Sequence, residues 1–149
     1  MKIILLIIGI IAILGIIAIV KNNYVFSFGD TERLDKGWKA YESKDYSFAI
    51  SQFLAVDHKK HPEVILPLAD AYLEINEEDN AIKYLEPAYK NKNNDLPKIT
   101  NMLGIAYIKS KDFKKARAML LESEKLGNEN SKINLHILDS LEQTQKKRP

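Results

Sequence analysis

Two hydrophobic patterns divide the chain. From residue 3 to residue 20 no side chain is polar. From residue 30 onward apolar residues recur every three or four positions and are interrupted at short intervals by Gly, Pro, Asn and Asp. An unbroken apolar run reads as a helix in lipid, and the periodic stretch as amphipathic helices joined by tight turns. At about 1.5 Å per residue the 3–20 run spans roughly 27 Å as a helix, close to a bilayer core. An uncleaved transmembrane signal-anchor over 1–20 is therefore expected. A cleavable signal peptide is the competing reading, with Lys2 as its basic n-region, but the run exceeds the roughly 7–15 residues of an ordinary h-region and no A-x-A-like site follows. Residues 21–29 turn polar and aromatic, and Tyr24, Phe26 and Phe28 beside Lys21 suit a juxtamembrane tether at headgroup level.

The periodic part predicts six helices in three hairpins and a seventh that closes the stack. Asp30 or Thr31 is placed to cap the first helix, which runs to about Ser43, and Lys44-Asp45 breaks it from a second ending near Asp57. Pro62 opens a third reaching about Ile75, and the Asn76-Glu77-Glu78-Asp79 turn leads to a fourth that ends in the polar run 91–94. Asp95 caps a fifth with Pro97 in its first turn, Lys111-Asp112 starts the sixth, and Gly127 suits a C-terminal cap. The closing helix runs from about Ser131 to Glu142 within a cap of 128–144, followed by the basic tail 145–149. Pro67 and Pro87 fall inside two helices, where a missing donor and a crowded turn predict a kink or an early end. No strand-turn-strand unit is visible, so the fold class is all-α.

Aligned on their alanines, the hairpins obey one rule three times. Gly37, Ala69 and Gly104 each precede Ala49, Ala81 and Ala116 by twelve residues, and Phe53, Leu85 or Leu120 follows four residues later. Two helices that cross closely need a small residue on each at the contact and large apolar residues one turn away. Leu68 with Tyr72, and Leu103 with Tyr107, supply those large residues on the first helices. The alanines recur after 32 and 35 residues, around the roughly 34-residue period of one repeat class.

On these residues the segment 30–127 resembles the tetratricopeptide repeat family, with units of about 30–60, 62–94 and 95–127. Leu103-Gly104-x-x-Tyr107 with Ala116-x-x-x-Leu120 follows the family pattern best, and Leu68-Ala69-x-x-Tyr72 with Ala81-x-x-x-Leu85 follows it well. The first unit departs from it, with Arg33 and Lys36 at places usually apolar and Ala40 in place of the tyrosine. The resemblance implies a concave groove along the first helices that holds a peptide or partner protein. Carried over, its facing set is Leu34, Trp38, Tyr41 and Glu42; Leu66, Asp70, Leu73 and Glu74; and Asn101, Ile105, Ile108 and Lys109. An alternative is that Leu34, Trp38 and Tyr41 form one helical stripe buried within their own hairpin. The lysine and asparagine clamp with which some relatives hold acidic C-termini is not implied, because Leu34, Trp38, Leu66 and Asp70 stand where several clamp residues belong.

Charge and chemistry narrow the function further. The 22 basic and 20 acidic residues are interspersed, which argues against a nucleic-acid partner. With no cysteine, disulfides, thiolate metal sites and thiol nucleophiles are excluded. His58 and His61 lack a third ligand at suitable spacing and read as solvated loop residues, and His136 as a packed or surface residue of the closing helix. No nucleophile elbow, zinc-protease, P-loop or dinucleotide motif is present. The expectation is therefore a scaffold or adaptor that binds protein or peptide, with no enzyme activity, cofactor or small-molecule substrate. A chaperone-like holder of exported or nascent chains is the first alternative, and an enzyme with an unrecognised site the second. Lys2 before the apolar run favours export of the soluble part, whereas Lys21, Arg33, Lys36 and Lys39 after it favour the cytoplasmic side; the exported arrangement is the expectation.

Overall fold

The computed structural model describes residues 13, 16, 29–92 and 95–146. The expected anchor, apart from residues 13 and 16, and the tether, apart from residue 29, lie outside the described residues, as do 147–149 of the basic tail. No helix among the described residues is long and apolar enough to cross a membrane. Those residues are all-α: α1 (29–42), α2 (Tyr46–Leu54), a 3-10 turn (Pro62–Val64), α3 (Ile65–Glu74), α4 (Glu78–Lys90), α5 (Leu96–Lys109), α6 (Phe113–Lys125) and α7 (Asn130–Lys146).

Each hairpin turns on the same backbone device. Lys44, Asn76 and Lys111 adopt positive φ of 63°, 57° and 64°, and the following residue is the N-cap of the next helix. In the first two turns the cap N–H also bonds the carbonyl five residues back, Asp45 to Ala40 and Glu77 to Tyr72, both at 2.8 Å. That is the Schellman closure, which satisfies carbonyls left free at a helix end. Asp45 and Asp112 then accept the N–H groups of Phe48 and Lys115, each at 3.1 Å, so one short segment both ends one helix and begins the next.

The turns make the hairpins antiparallel. Ser123 near the end of α6 donates to the carbonyl of Pro97 at the start of α5 (2.6 Å), while Lys115 at the start of α6 lies 5.1 Å from the ring of Tyr107 at the end of α5. Between hairpins, α3 packs on α2, α5 on α4 and α7 on α6, which gives a solenoid-like stack. The core runs through it as Phe53, Leu68, Leu85, Leu103, Leu120 and Leu138, none more than 1% exposed. Burying a side chain of this kind contributes about 1.5–3 kcal/mol relative to leaving it exposed. Gly37, Ala49, Ala69, Tyr72, Ala81, Gly104, Tyr107 and Ala116 are buried with them. The two glycines let the paired helix close in: a Cβ on Gly37 falls 2.7 Å from the Phe53 ring, and one on Gly104 falls 2.5 Å from the Leu120 side chain.

Several boundaries differ from the sequence expectation. α2 stops at Leu54, three residues before Asp57, because Asp57 begins a turn of its own, its carbonyl accepting from Lys60 and His61 and its carboxylate from the Lys59 N–H. α7 continues to Lys146 rather than Glu142, since Gln143 to Lys146 contain no breaker. Neither Asp30 nor Thr31 caps α1; both lie inside it. Asp95 takes the N-cap place of α5 without a side-chain cap bond and lies 3.4 Å from Lys98 instead. Neither proline ends its helix early. Pro67 is the third residue of α3, in the first turn where N–H groups need no helical acceptor, and α4 runs through Pro87 to Lys90.

Candidate functional site

The first helices of the three hairpins share one side of the stack and leave a depression of about 650 Å³ across it. Trp38 and Tyr41 come from α1, Leu66, Pro67 and Asp70 from α3, and Pro97, Lys98, Asn101 and Met102 from α5. The loop Gly127 to Glu129, with Asn130 at the start of α7, closes the far end. Gly127, at φ +89°, turns this loop back over the start of α5, where the Asn128 amide donates to the Pro97 carbonyl (3.0 Å). Asn134 of α7 donates to Asn101 (2.9 Å), which fixes one polar group on the floor.

Tyr41 and Asp70 join α1 to α3 by a direct hydrogen bond from the phenol to the carboxylate. Burial first, then that bond and the carboxylate charge, push the Tyr41 hydroxyl well above its usual range, so it is a neutral donor under all ordinary conditions. Trp38 stands edge-on to Tyr41 at 6.2 Å and to Phe53 at 5.4 Å, and Tyr41 edge-on to Tyr46 at 5.9 Å. With 37% of its surface still exposed, Trp38 is braced by the core on one side and offers its ring to the depression on the other.

Five of the twelve groove residues expected from sequence therefore line the depression: Trp38, Tyr41, Leu66, Asp70 and Asn101. The other seven do not. Leu34, Ile105 and Ile108 are half-buried against the core, and Leu73 is 3% exposed within it. Lys109 donates to the Leu73 carbonyl (2.6 Å), closing the C-terminus of α3. Glu42 and Glu74 are exposed at the helix ends. Leu34, Trp38 and Tyr41 all pack on the core, and of the three Trp38 and Tyr41 also line the depression. Pro67, Pro97, Lys98, Met102 and residues 127–130 are lining residues that the carried-over set omits. Lys98 and Met102 were within reach, one turn before and one residue after Asn101, whereas the loop joins the wall only through its fold over α5.

The histidines are not simply solvated. His58 Nε2 lies 2.8 Å from the Phe53 carbonyl oxygen and its ring is edge-on to Tyr84 at 5.6 Å. His61 Nδ1 lies 3.0 Å from the Glu63 carboxylate, and its Nε2 faces the buried Asp30 at 3.9 Å, beyond hydrogen-bond distance. His136 is exposed on α7. Among the described residues no group of three or more His, Asp or Glu side chains is arranged to hold a metal.

The fold and groove define a stack of antiparallel helix hairpins with one concave, aromatic-edged wall. No family model matches the chain, and a search of curated proteins finds no match.

Proposed function

We propose that this chain is a membrane-anchored adaptor of the tetratricopeptide type, whose groove holds a peptide segment of a partner protein. The observation that carries the reading is the convergence of Trp38, Tyr41, Leu66, Asp70 and Met102, from three successive hairpins, on one depression. Aromatic side chains already fixed by packing make good anchors, because little rotamer freedom is lost on binding. The wall is largely apolar with a carboxylate at its centre, which suits an extended or helical segment carrying apolar residues and one basic group. The apolar run 3–20 serves as the anchor, with the stack on the exported side. Confinement to a bilayer raises the effective concentration of membrane-bound partners, so a shallow groove suffices.

Photocrosslinking tests this reading. A photoreactive residue replacing Trp38 or Met102 in the full chain in membranes captures one defined species at both positions, and one replacing exposed Lys114 on α6 does not. Equal capture from all three positions, or none from the groove positions, overturns it. Captured material that is heterogeneous and unfolded overturns it in favour of a holder of nascent or exported chains.

A further inference from the structure

Away from the groove, a second cleft of about 500 Å³ opens between the α2–α3 loop and α4. That volume lies within the roughly 300–1,000 Å³ of small-molecule sites. Its floor is Ile65 and Ala88, both 8% exposed, and Pro62 and Pro87 give it stiff sides. No carboxylate lines it, and its charged groups are Lys59 from the loop and Lys83 from α4. The groove, by contrast, contains Asp70 and Glu129. Elsewhere exposed lysines sit on carboxylates, as Lys36 does on Glu32, Lys39 on Asp35 and Lys98 on Asp95. Lys59 and Lys83 have no acidic partner among the described residues. Asp57, two residues before Lys59, accepts the Lys59 backbone N–H instead (2.9 Å).

The polar wall is fixed by its own contacts. Facing a carbonyl, His58 Nε2 can only donate to Phe53 (2.8 Å), which leaves Nδ1 without a partner among the described residues. The His58 ring stands edge-on to Tyr84 at 5.6 Å, and Tyr84 stacks on Tyr72 at 5.9 Å. The Lys83 ammonium lies 5.7 Å from the centre of the same Tyr84 ring. α4 runs through Pro87, whose missing N–H leaves the Lys83 carbonyl without its helical donor. Because Lys83 and Pro87 both line the cleft, that carbonyl is a free acceptor on the same wall. We infer that the cleft binds a phosphate ester of a short polyol, of the glycerol phosphate type. Lys59, Lys83 and His58 hold the phosphate, a hydroxyl donates to the Lys83 carbonyl, and the carbon chain rests on Ile65 and Ala88. This site does not depend on the groove reading. It lies at the end of the stack where α1 begins, since Asp30 faces His61, next to Pro62, at 3.9 Å. The same ester is offered there by a lipid headgroup and in solution by a free molecule, and experiment separates the two sources.

Acylation by an amine-reactive ester, read residue by residue by mass spectrometry, tests the site in the full chain held in maltoside micelles, which contain no phosphate. Excess glycerol 3-phosphate slows acylation of Lys59 and Lys83 severalfold and leaves Lys60 and Lys114, both exposed outside the cleft, unchanged. Glycerol alone slows none of them. Phosphatidylglycerol added to the micelles at the same phosphate concentration is the second arm. Selective slowing by the lipid assigns the site to a headgroup, and selective slowing by glycerol 3-phosphate alone assigns it to the free ester. In Lys83→Gln the concentration of the effective ester that half-protects Lys59 rises at least about tenfold, as expected for one lost charge-assisted contact. Far-UV circular dichroism checks that this variant retains its helices. No slowing by either ester, or equal slowing of Lys59, Lys60 and Lys83, overturns the site. A folded Lys83→Gln chain protected at an unchanged concentration overturns it as well.

Discussion

Gly104 shows how one missing methyl group sets the spacing of a hairpin. The Leu120 side chain occupies the space that its Cβ would need, at 2.5 Å. Two effects oppose each other in Gly104→Ala: alanine gains about 1 kcal/mol of helix propensity, and overpacking a closed core costs about 1–3 kcal/mol. Because the clash reaches the Leu120 Cγ and not only a movable methyl, the steric cost wins. Gly104→Ala is expected to lower stability by about 1–2 kcal/mol in urea unfolding. In a Leu120→Ala background the same change is neutral or stabilising, since the obstructing atoms are gone and neighbouring sites couple strongly. A gain in stability from Gly104→Ala in the unchanged chain defeats this account. The small-against-large pairing is legible in sequence for the same reason that it is sensitive: only a few residue types allow two backbones so close, so their spacing records the contact.

At the scale of elements, the turns account for most of what the sequence pattern conveys and for some of what it hides. The break at each hairpin is marked by Lys44-Asp45, Asn76-Glu77 and Lys111-Asp112, but the left-handed residue is a lysine in two of the three. That conformation costs an L-residue roughly 1–2 kcal/mol, and glycine adopts it without a steric penalty while losing more chain entropy on folding. Lys44→Gly and Lys111→Gly are therefore expected each to raise stability by about 0.5–1 kcal/mol. A urea midpoint that falls in both variants shows that the turns are not strained. Helix ends were harder to read where a side chain acts through a distant contact. Asp30 looks like a cap, yet it lies inside α1 between Arg33 and His61. Lys109 looks free for a partner, yet it closes α3. The groove was legible only in part because small rotations of a helix decide which half-buried side chains turn outward, and those rotations are set by the neighbours.

For the molecule as a whole, three of the ties between elements share one chemistry: a phenol donating to a carboxylate. Tyr41 joins α1 to α3 through Asp70, Tyr107 joins α5 to α4 through Glu86 at 2.8 Å, and Tyr89 joins α4 to α6 through Glu122 at 2.8 Å. All three hydroxyls are held above the ordinary tyrosine value of 10.0, Tyr41 and Tyr107 chiefly by burial and Tyr89 chiefly by its hydrogen bond. A phenol that keeps its proton longer when folded than when unfolded lends stability that is complete below about pH 10 and is lost as pH rises toward the folded value. The stack is therefore expected to weaken progressively above about pH 10, with the hairpins losing their mutual ties together. Lysine deprotonation falls in the same range, so the decisive comparison is between variants. Replacing Tyr41, Tyr89 and Tyr107 together by Phe keeps the rings and removes the titrating groups. Urea unfolding followed from about pH 9 to pH 11 should give a steeper fall in midpoint for the unchanged chain than for the triple variant. The variant starts lower near neutral pH, because the half-buried hydrogen bonds to Asp70, Glu86 and Glu122 are lost, and the two curves converge as pH rises. Parallel curves across the range place the alkaline sensitivity elsewhere than in these three ties.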